Sequence, residues 1–418
     1  MRQGGMRQGG MRFGVAALAL LGWLVGCGQR PSVEQTPADA GRFQRELREK
    51  LLDAKPGEII EIPAGRHLLD RSLSLRVSGV TIRGAGMNET VLSFKGQRVG
   101  AEGLLVNASD FALENLAIED TRGDAVKINE GERITLRGLR VEWTDGPSTR
   151  NGAYGLYPVR TRNVLIEDCL VIGASDAGIY VGQSEDIVVR RNRARQNVAG
   201  IEIENSRRAD VYENDVTLNT GGILVFNMPN LPQRGEGTRI YRNRIYANNT
   251  ANFGAKGTPV ASVPAGSGVV INSNDAVEIF DNELRDNATA HIIISSYFST
   301  GYMTDEGVAQ NFDPYPEAIH VHGNRFSGGG DSPDGLDLKT LKLAMFGLGG
   351  RFPAVLWDGY LDPKKLRGGK LPPELALCVR DAGPVLNADG PGKYRNPAVT
   401  SAVFDCTLAA LPAVELGR

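Results

Sequence analysis

The sequence has no excess of basic charge: 47 lysines and arginines stand against 49 aspartates and glutamates, a formal net charge of −2. A dedicated nucleic-acid-binding surface needs a basic surplus or stripe, so that class of partner is excluded. Aromatic residues make up only 6% of the chain, and there are four histidines, four cysteines and seven methionines. The methionines are scattered and form no soft-ligand cluster of the kind copper handling needs. Long apolar runs are scarce too, and the run Val15–Val25 is too short to span a bilayer. No glycine-rich phosphate loop joins a strand to a helix. With 41% apolar and 23% charged residues, the composition is that of a folded protein. Glycine is abundant, at 52 of 418 residues. With so few aromatics, this points to many tight turns between short strands.

The segment MRFGVAALALLGWLVGCGQR (residues 11–30) has a charged start at Arg12, an apolar stretch, and a small residue before a cysteine. Its Leu24-Val25-Gly26-Cys27 resembles the lipobox of bacterial lipoproteins. The resemblance implies a signal peptide over residues 1–27, lipidation of Cys27 and a lipid anchor to the membrane. Gly28, standing where an aspartate would retain the protein elsewhere, implies the outer membrane, on its periplasmic or cell-surface face. Residues 28–40 are polar and proline-containing, and the expectation there is a flexible tether.

Beyond the tether the chain repeats. Gly178, Gly200 and Gly222 are 22 residues apart, and Asn192, Asn214 and Asn282 each follow a glycine by 14. Cys169 takes the asparagine's place after Gly155, and a second asparagine follows five residues on at Asn197, Asn219, Asn248 and Asn287. Apolar residues alternate within each unit, as in Ile179/Val181, Ile201/Ile203 and Val269/Ile271. Period two in short runs bounded by Gly and Asn means strands with one buried face. A leucine-rich repeat is excluded, because its L-x-x-L-x-L signature and helical half are missing. The remaining solution is an all-β solenoid of short strands, with asparagines stacked at one turn so that each amide bonds the next.

This pattern, with GEIIEIPAGRHLLD, VTIRGAG and ETVLSF before it, resembles the right-handed parallel β-helix of the pectin-lyase-like superfamily. The resemblance covers residues 41–330 and implies about ten coils, a rod of ~50 Å at ~4.8 Å per coil. Residues 41–54, with Phe43, Leu47, Leu51 and Leu52 on one helical face, are expected to cap its open end. Residues 331–418 lose the register and read as an irregular C-terminal cap. Cys378 and Cys406 lie there in similar apolar contexts, LALCVRD and VFDCTLA, and are expected to form a disulfide. Cys169 reads as a buried free thiol. Tandem repeats behind a lipobox also resemble a family of bacterial parallel β-helix repeat lipoproteins, a resemblance that implies no particular reaction.

Function in such a solenoid concentrates where turns lengthen. The 22-residue period breaks at 143–154, 227–239, 249–266 and 296–317. Between them lies a face of outward positions. Tyr157, Tyr180, Glu202, Leu224 and Val270 form one column, and Gly182, Glu204, Phe226 and Asn272 the next. With Tyr154 and Tyr297, this face is the expected polysaccharide-binding groove. Glu202 and Glu204, at i and i+2, leave one face about 7 Å apart, a spacing at which oxygens can share Ca²⁺. Calcium-dependent lyases of the superfamily look similar, with a Glu-x-Glu strand followed by a basic residue. Here Arg207 and Arg208 follow, and arginine makes a poor base.

Tyr154-Gly155-Leu156-Tyr157-Pro158-Val159-Arg160 is similar to the Tyr-Gly-x-Asp-Pro-His-Asp segment of alginate C5-epimerases, but Tyr157, Val159 and Arg160 stand where Asp, His and Asp belong. Tyr157 can still act as a base if Arg160 lowers its pKa. His291 is expected either as a general base facing the groove or as a turn residue, and His320-Val-His322 puts two imidazoles on one face with no third metal ligand identifiable. Two functions fit these residues. One is polysaccharide binding with β-elimination or C5 epimerisation, using His291, Tyr157, Arg160 and Arg207 around a Ca²⁺ held by Glu202 and Glu204. The alternative is a non-catalytic surface scaffold or adhesion module that docks another envelope protein.

Overall fold

The computed structural model describes residues 37–300 and 312–417; the signal-peptide and lipobox segment 1–27, with Cys27, lies outside them. Helix α1 runs over Pro37–Asp53. The last four residues of the expected tether are therefore helical, with a proline opening the first turn, where its missing N–H costs nothing. Leu47 and Leu51 are buried and Phe43 packs beside them, the i, i+4, i+8 stripe that closes the first coil. Leu52, expected on that stripe, is instead 69% exposed.

From there the chain winds through three parallel sheets, A, B and C. A representative coil places Ala177–Gly182 in sheet A, Glu185–Arg190 in B and Arg193–Arg195 in C, before Ala199–Glu204 returns to A. Register is kept between these coils: Ile179 pairs Ile201, and Ile201 pairs Ile223. Two long strands, Val126–Arg137 and Tyr154–Glu167, run through both A and B. Sheet C has ten strands, from Gly65–Leu68 to Arg325–Ser327. Inward side chains from the three sheets make one continuous core, and each fully buried Ile or Val contributes ~1.5–3 kcal/mol.

The 22-residue period has a backbone cause. A left-handed residue recurs at the B-to-C turn: Asp168, Arg191, Glu213, Arg242 and Asp281 have φ of 57°, 54°, 55°, 52° and 53°. Immediately after each comes the ladder residue, Cys169, Asn192, Asn214, Asn243 or Asn282. Asn192 N and Nδ2 both donate to Asn214 Oδ1 at 3.0 Å, and the pattern repeats through Asn243 and Asn282 to Asn324. A second ladder, Asn197–Asn219–Asn248–Asn287, runs on the other side of sheet C. Where one ladder was expected there are two, and they flank the shortest strands, whose turns would otherwise bury the most unpaired backbone.

The solenoid extends past the boundary expected at 330. Val355–Trp357 continues sheet A, Leu377–Val379 continues B, and Val385–Asn387 pairs with Val355–Trp357. The antiparallel strand Ala398–Thr400 then ends the stack and covers an edge that would otherwise invite pairing. Before these pieces, after the last strand of sheet C, comes α2, Leu336–Phe346. Cys378 and Cys406 are joined, with Cα atoms 4.9 Å apart. Cys169 is buried and free, its thiol pushed up to about 12 by burial.

Candidate functional site

The lengthened turns fall on the two borders of sheet A. Residues 143–153 and 249–266 connect C to A, whereas 227–235 and the described residues 296–300 and 312–318 lie between A and B strands. The outward face of sheet A is therefore a trough with a wall on each side. Its central column runs in register from Tyr180 to Glu202, Leu224, Val270, Ile293, Leu356 and Leu386. In the later coils this face is covered: Val260, Val263 and Phe352 are buried against Leu224, Phe226 and Ile293, with α2 residues Leu341 and Met345 packed behind. In the earlier coils it opens at Tyr154, Tyr157, Lys127 and Asp124, all partly exposed.

At that mouth three tyrosines meet. Tyr154 lies 4.4 Å from Tyr157 and 4.6 Å from Tyr180 between ring centroids, and Tyr157 meets Tyr180 edge-on at 4.9 Å. Carboxyls crowd against them. Tyr180 donates its hydroxyl proton to Glu204 Oε1 at 2.6 Å, Tyr154 OH approaches Asp176 Oδ2 at 3.4 Å, and buried Glu202 has no partner for Oε2. Lys127 is the cation at the mouth, 4.8 Å over the Tyr157 ring and 3.7 Å from Asp124 Oδ2.

So many carboxyls in little water hold protons. Burial first, then the charges of Glu204 and Asp124, push Asp176 up to about 7. Burial, with Asp176 and Glu204 nearby, raises Glu202 well above the usual carboxylate range. Glu204 is raised by burial but held back by the Tyr180 bond, which favours its charged form. Asp124 is raised by burial against the opposing pull of Lys127. The cluster therefore offers a proton donor and a proton acceptor side by side near neutral pH.

Several expected residues lie elsewhere or in a different state. Tyr157 is pushed up to about 12 by burial and by Asp124, Glu204 and Asp176, which outweigh Arg160, so its phenolate is disfavoured rather than favoured. Arg160 is turned to Asn129 Oδ1 at 2.6 Å and Glu130 at 3.3 Å. Arg207 donates to Arg234 O at 3.1 Å and Arg208 clamps Asp186, so neither reaches Glu202 or Glu204. His291 is buried on the inner side, with Nδ1 on Asn287 Nδ2 and Nε2 on Gly328 O. It closes the second asparagine ladder and does not face the groove. Phe226, Asn272 and Tyr297 are buried in the covered coils. Asn272 Nδ2 donates to Ser295 Oγ and Ser296 O, and Tyr297 lies edge-on to Phe312 at 5.5 Å.

Among the described residues two groups of three side chains bring ligating atoms within 4.8 Å, Glu278/His320/His322 and Asp275/Asp313/Glu317. Glu202 and Glu204 belong to neither. The acidic group is neutralised by Lys365, 2.8 Å from Asp313 and 2.5 Å from Glu317, and by Arg234 on Asp275, and reads as an ion-pair network. It borders a polar depression of about 680 Å³ lined by Arg234, Asp313, Tyr315 and Lys364. That hollow lies on the A-to-B loops, and Asn205, the residue after Glu204, is part of its lining. Sequence reasoning missed Asp176 and Lys127. The signal for Asp176 was a carboxylate at the entry to a strand where the next coil has Val198.

Residues 76–232 match the family model described as "Right handed beta helix region". No curated protein matches the sequence. The Azotobacter vinelandii mannuronan C-5 epimerase AlgE6 A-module shares 17% identity over 77% of this chain and 86% of that one, with a TM-score of 0.48. DFA-IIIase from Arthrobacter chlorophenolicus A6 shares 11% identity over 77% and 88%, with a TM-score of 0.46. The GH87 alpha-1,3-glucanase catalytic unit from Streptomyces thermodiastaticus shares 16% over 76% and 47%, with a TM-score of 0.44. These are likenesses of fold. The matched segment and the three-sheet coil together show a right-handed parallel β-helix fold.

Proposed function

We propose that the protein binds a polysaccharide along the open end of the sheet A trough and acts on it by acid–base chemistry. The observation that carries this reading is the buried carboxyl set Asp176, Glu202 and Glu204, with pKa values raised by burial, packed against three tyrosines at the mouth of a walled trough. Tyrosine faces suit the apolar faces of sugar rings, and recessed carboxyls suit hydroxyls and a glycosidic oxygen.

The best-supported reaction is hydrolysis of a neutral glycan. Asp176 gives its proton to the glycosidic oxygen as the bond from that oxygen to the anomeric carbon breaks. Water attacks the anomeric carbon, and Glu204, whose charged form the Tyr180 hydrogen bond favours, takes the water's proton. Glu202 keeps its own proton and limits the charge of the cluster. Elimination or epimerisation of an acidic glycan would draw on the same carboxyls only with added cation. Among the described residues Lys127 is the amine at the mouth, and Arg160 and Arg207 are engaged elsewhere. A Ca²⁺ on Glu202 and Glu204 is the route by which that second reaction would run. Lipidation at Cys27, anchoring the rod to the outer membrane, belongs to the same proposal and places the trough where envelope or external glycans reach it.

The test is a glycan panel, neutral β- and α-glucans and fructans beside polyuronates with and without Ca²⁺, assayed with the full chain for binding, new reducing ends and unsaturated products. New reducing ends from a neutral glycan, lost in Asp176→Asn and in Glu204→Gln, are expected. Unsaturated or epimerised uronate appearing only with Ca²⁺ would replace hydrolysis by the second reaction. No binding to any glycan would overturn the proposal in favour of a protein-docking scaffold.

A further inference from the structure

The outward face of sheet B carries a second polar column, remote from the trough and roofed by the chain's own C-terminus. Val188, Asp210, Arg239, Glu278, His320 and Cys378 follow one another in register, one per coil. Outward sheet positions ordinarily face solvent, yet Asp210, Glu278 and His320 are buried, at 3%, 4% and 5% exposure. The cover is the C-terminal tail. From Cys406, tied to Cys378 beside His320, the tail runs back down the rod. Leu411 N donates to Glu278 Oε2 at 3.0 Å, Val414 N to Asp210 Oδ2 at 3.3 Å and Gly417 N to Asn163 Oδ1 at 2.9 Å.

Beneath that roof His320 is anomalous. Neither Nδ1 nor Nε2 has a hydrogen-bond partner, although leaving a buried polar group unpaired costs ~1–3 kcal/mol. Its ring lies 4.2 Å from that of His322, whose Nε2 is 3.0 Å from Glu278 Oε1. His322 is held in place as the last ring of a stack through Phe280, Tyr241 and Tyr212, with successive centroids 5.4, 4.8 and 4.8 Å apart. One ligating atom from each of Glu278, His320 and His322 lies within 4.8 Å of the others. Two imidazoles and one carboxylate suit a borderline first-row ion in tetrahedral geometry, and exclude Ca²⁺ and Mg²⁺, which prefer all-oxygen sets.

We propose that Glu278, His320 and His322 form a site for a divalent transition-metal ion of the Zn²⁺ type, closed over by the C-terminal tail. Arg239, with Nε 3.9 Å from Glu278 Oε2, and Arg380 beside His320 oppose a cation. Arg239 is drawn off by Asp210, at 3.1 Å from its Nη1, which leaves the Glu278 charge to the metal. The ion would supply the partner His320 lacks and tie two successive coils, through Leu411, to the tail.

The experiment is titration of the untagged, chelator-treated full chain with Zn²⁺ by calorimetry, and with Co²⁺ by visible absorption. One equivalent is expected, with the intense bands of tetrahedral Co²⁺. His320→Ala should weaken binding by at least ~100-fold, more than the 10–100-fold that loss of a supporting group costs. Because His320 is buried, His322→Gln, at a half-exposed position, serves as the second variant, and both are checked by circular dichroism. Zn²⁺ should also slow proteolysis of the 407–417 tail in the wild type and leave His322→Gln unaffected. Absence of a stoichiometric Co²⁺ spectrum, or binding in both variants as tight as in the wild type, would overturn the site. Asp176→Asn should bind metal normally, so failure here is separable from failure of the trough chemistry.

Discussion

Asn214 is the middle rung of the longer ladder, and its replacement by alanine tests what holds this rod together. The side chain makes four hydrogen bonds: Oδ1 accepts from Asn192 N and Nδ2, and Nδ2 donates to Val189 O and Asn243 Oδ1, all within 2.9–3.0 Å. In the alanine variant Asn192 Nδ2 keeps Ile166 O and Asn243 Oδ1 keeps the Asn214 backbone N–H. One buried main-chain group, Asn192 N–H, is left without a partner, at ~1–3 kcal/mol, and Val189 C=O, still paired within its sheet, loses one of its two bonds, at ~1 kcal/mol. The expected loss is therefore about 3 kcal/mol, well above the ~1 kcal/mol typical of single substitutions. Guanidinium unfolding followed by far-ultraviolet circular dichroism measures it. A fall in the denaturant slope is also expected, because coils on either side of a broken rung uncouple. The complementary change is Cys169→Asn. Cys169 Sγ reaches Leu136 O only at 3.7 Å, where an amide would donate properly and also reach Asn192 Oδ1. That variant should gain about 1 kcal/mol from one or two added bonds. If Asn214→Ala costs under about 1 kcal/mol, the ladders satisfy backbone that water satisfies equally well, and the reasoning fails.

The remaining predictions concern close approach and charge. A Cβ on Gly200 would meet Gly222 O at 2.7 Å, Val216 Cγ1 at 2.6 Å and Asn219 Nδ2 at 2.9 Å, so Gly200→Ala should lower stability by about 1–3 kcal/mol in the same assay, through overpacking. Asp176 has its pKa raised from 3.8 to about 7 on folding. Between those values the native state holds a proton that the unfolded chain has released, so its contribution to stability is present at low pH and lost as pH rises through that window. Asp176→Asn should remove that part of the fall, leaving the variant more stable than the wild type above neutrality while abolishing turnover. A variant with an unchanged pH profile would show that Asp176 is not the group holding the proton.

Legibility followed the repeat. The strand alternation Ile179/Val181 and Ile201/Ile203 was readable because sheet periodicity is local, and the ladder asparagines were readable because each sits one residue after a left-handed turn position. The Glu202–Glu204 column was readable as an outward face; its protonation state was not. That state depends on what covers the face, namely Tyr154, Asp176 and the loop residues Val260 and Val263, which arrive from outside the repeat unit. His291 misled because it occupies the glycine slot of its coil. The sequence does not show that the asparagine ladder ends at Asn287, which makes room there for an imidazole inside the rod.

The sheet B column shows the same limit from the other side. His320 and His322 are two residues apart and announced themselves, whereas Glu278 lies 42 residues before His320. The 22-residue rule would seek its partner near position 298, in the turn that an insertion has lengthened. Only strand pairing, Glu278 with His320, removes the insertion from the count. The tail escaped notice for a related reason: its contacts with Glu278, Asp210 and Asn163 span 133, 204 and 254 residues. In a solenoid each coil normally touches only its neighbours, so a segment that crosses several coils at once is the one element able to couple distant parts of the rod. A ligand that fixed the tail would therefore stiffen coils it never touches. That makes tail proteolysis, rather than any property of a single coil, the sensitive readout for the metal.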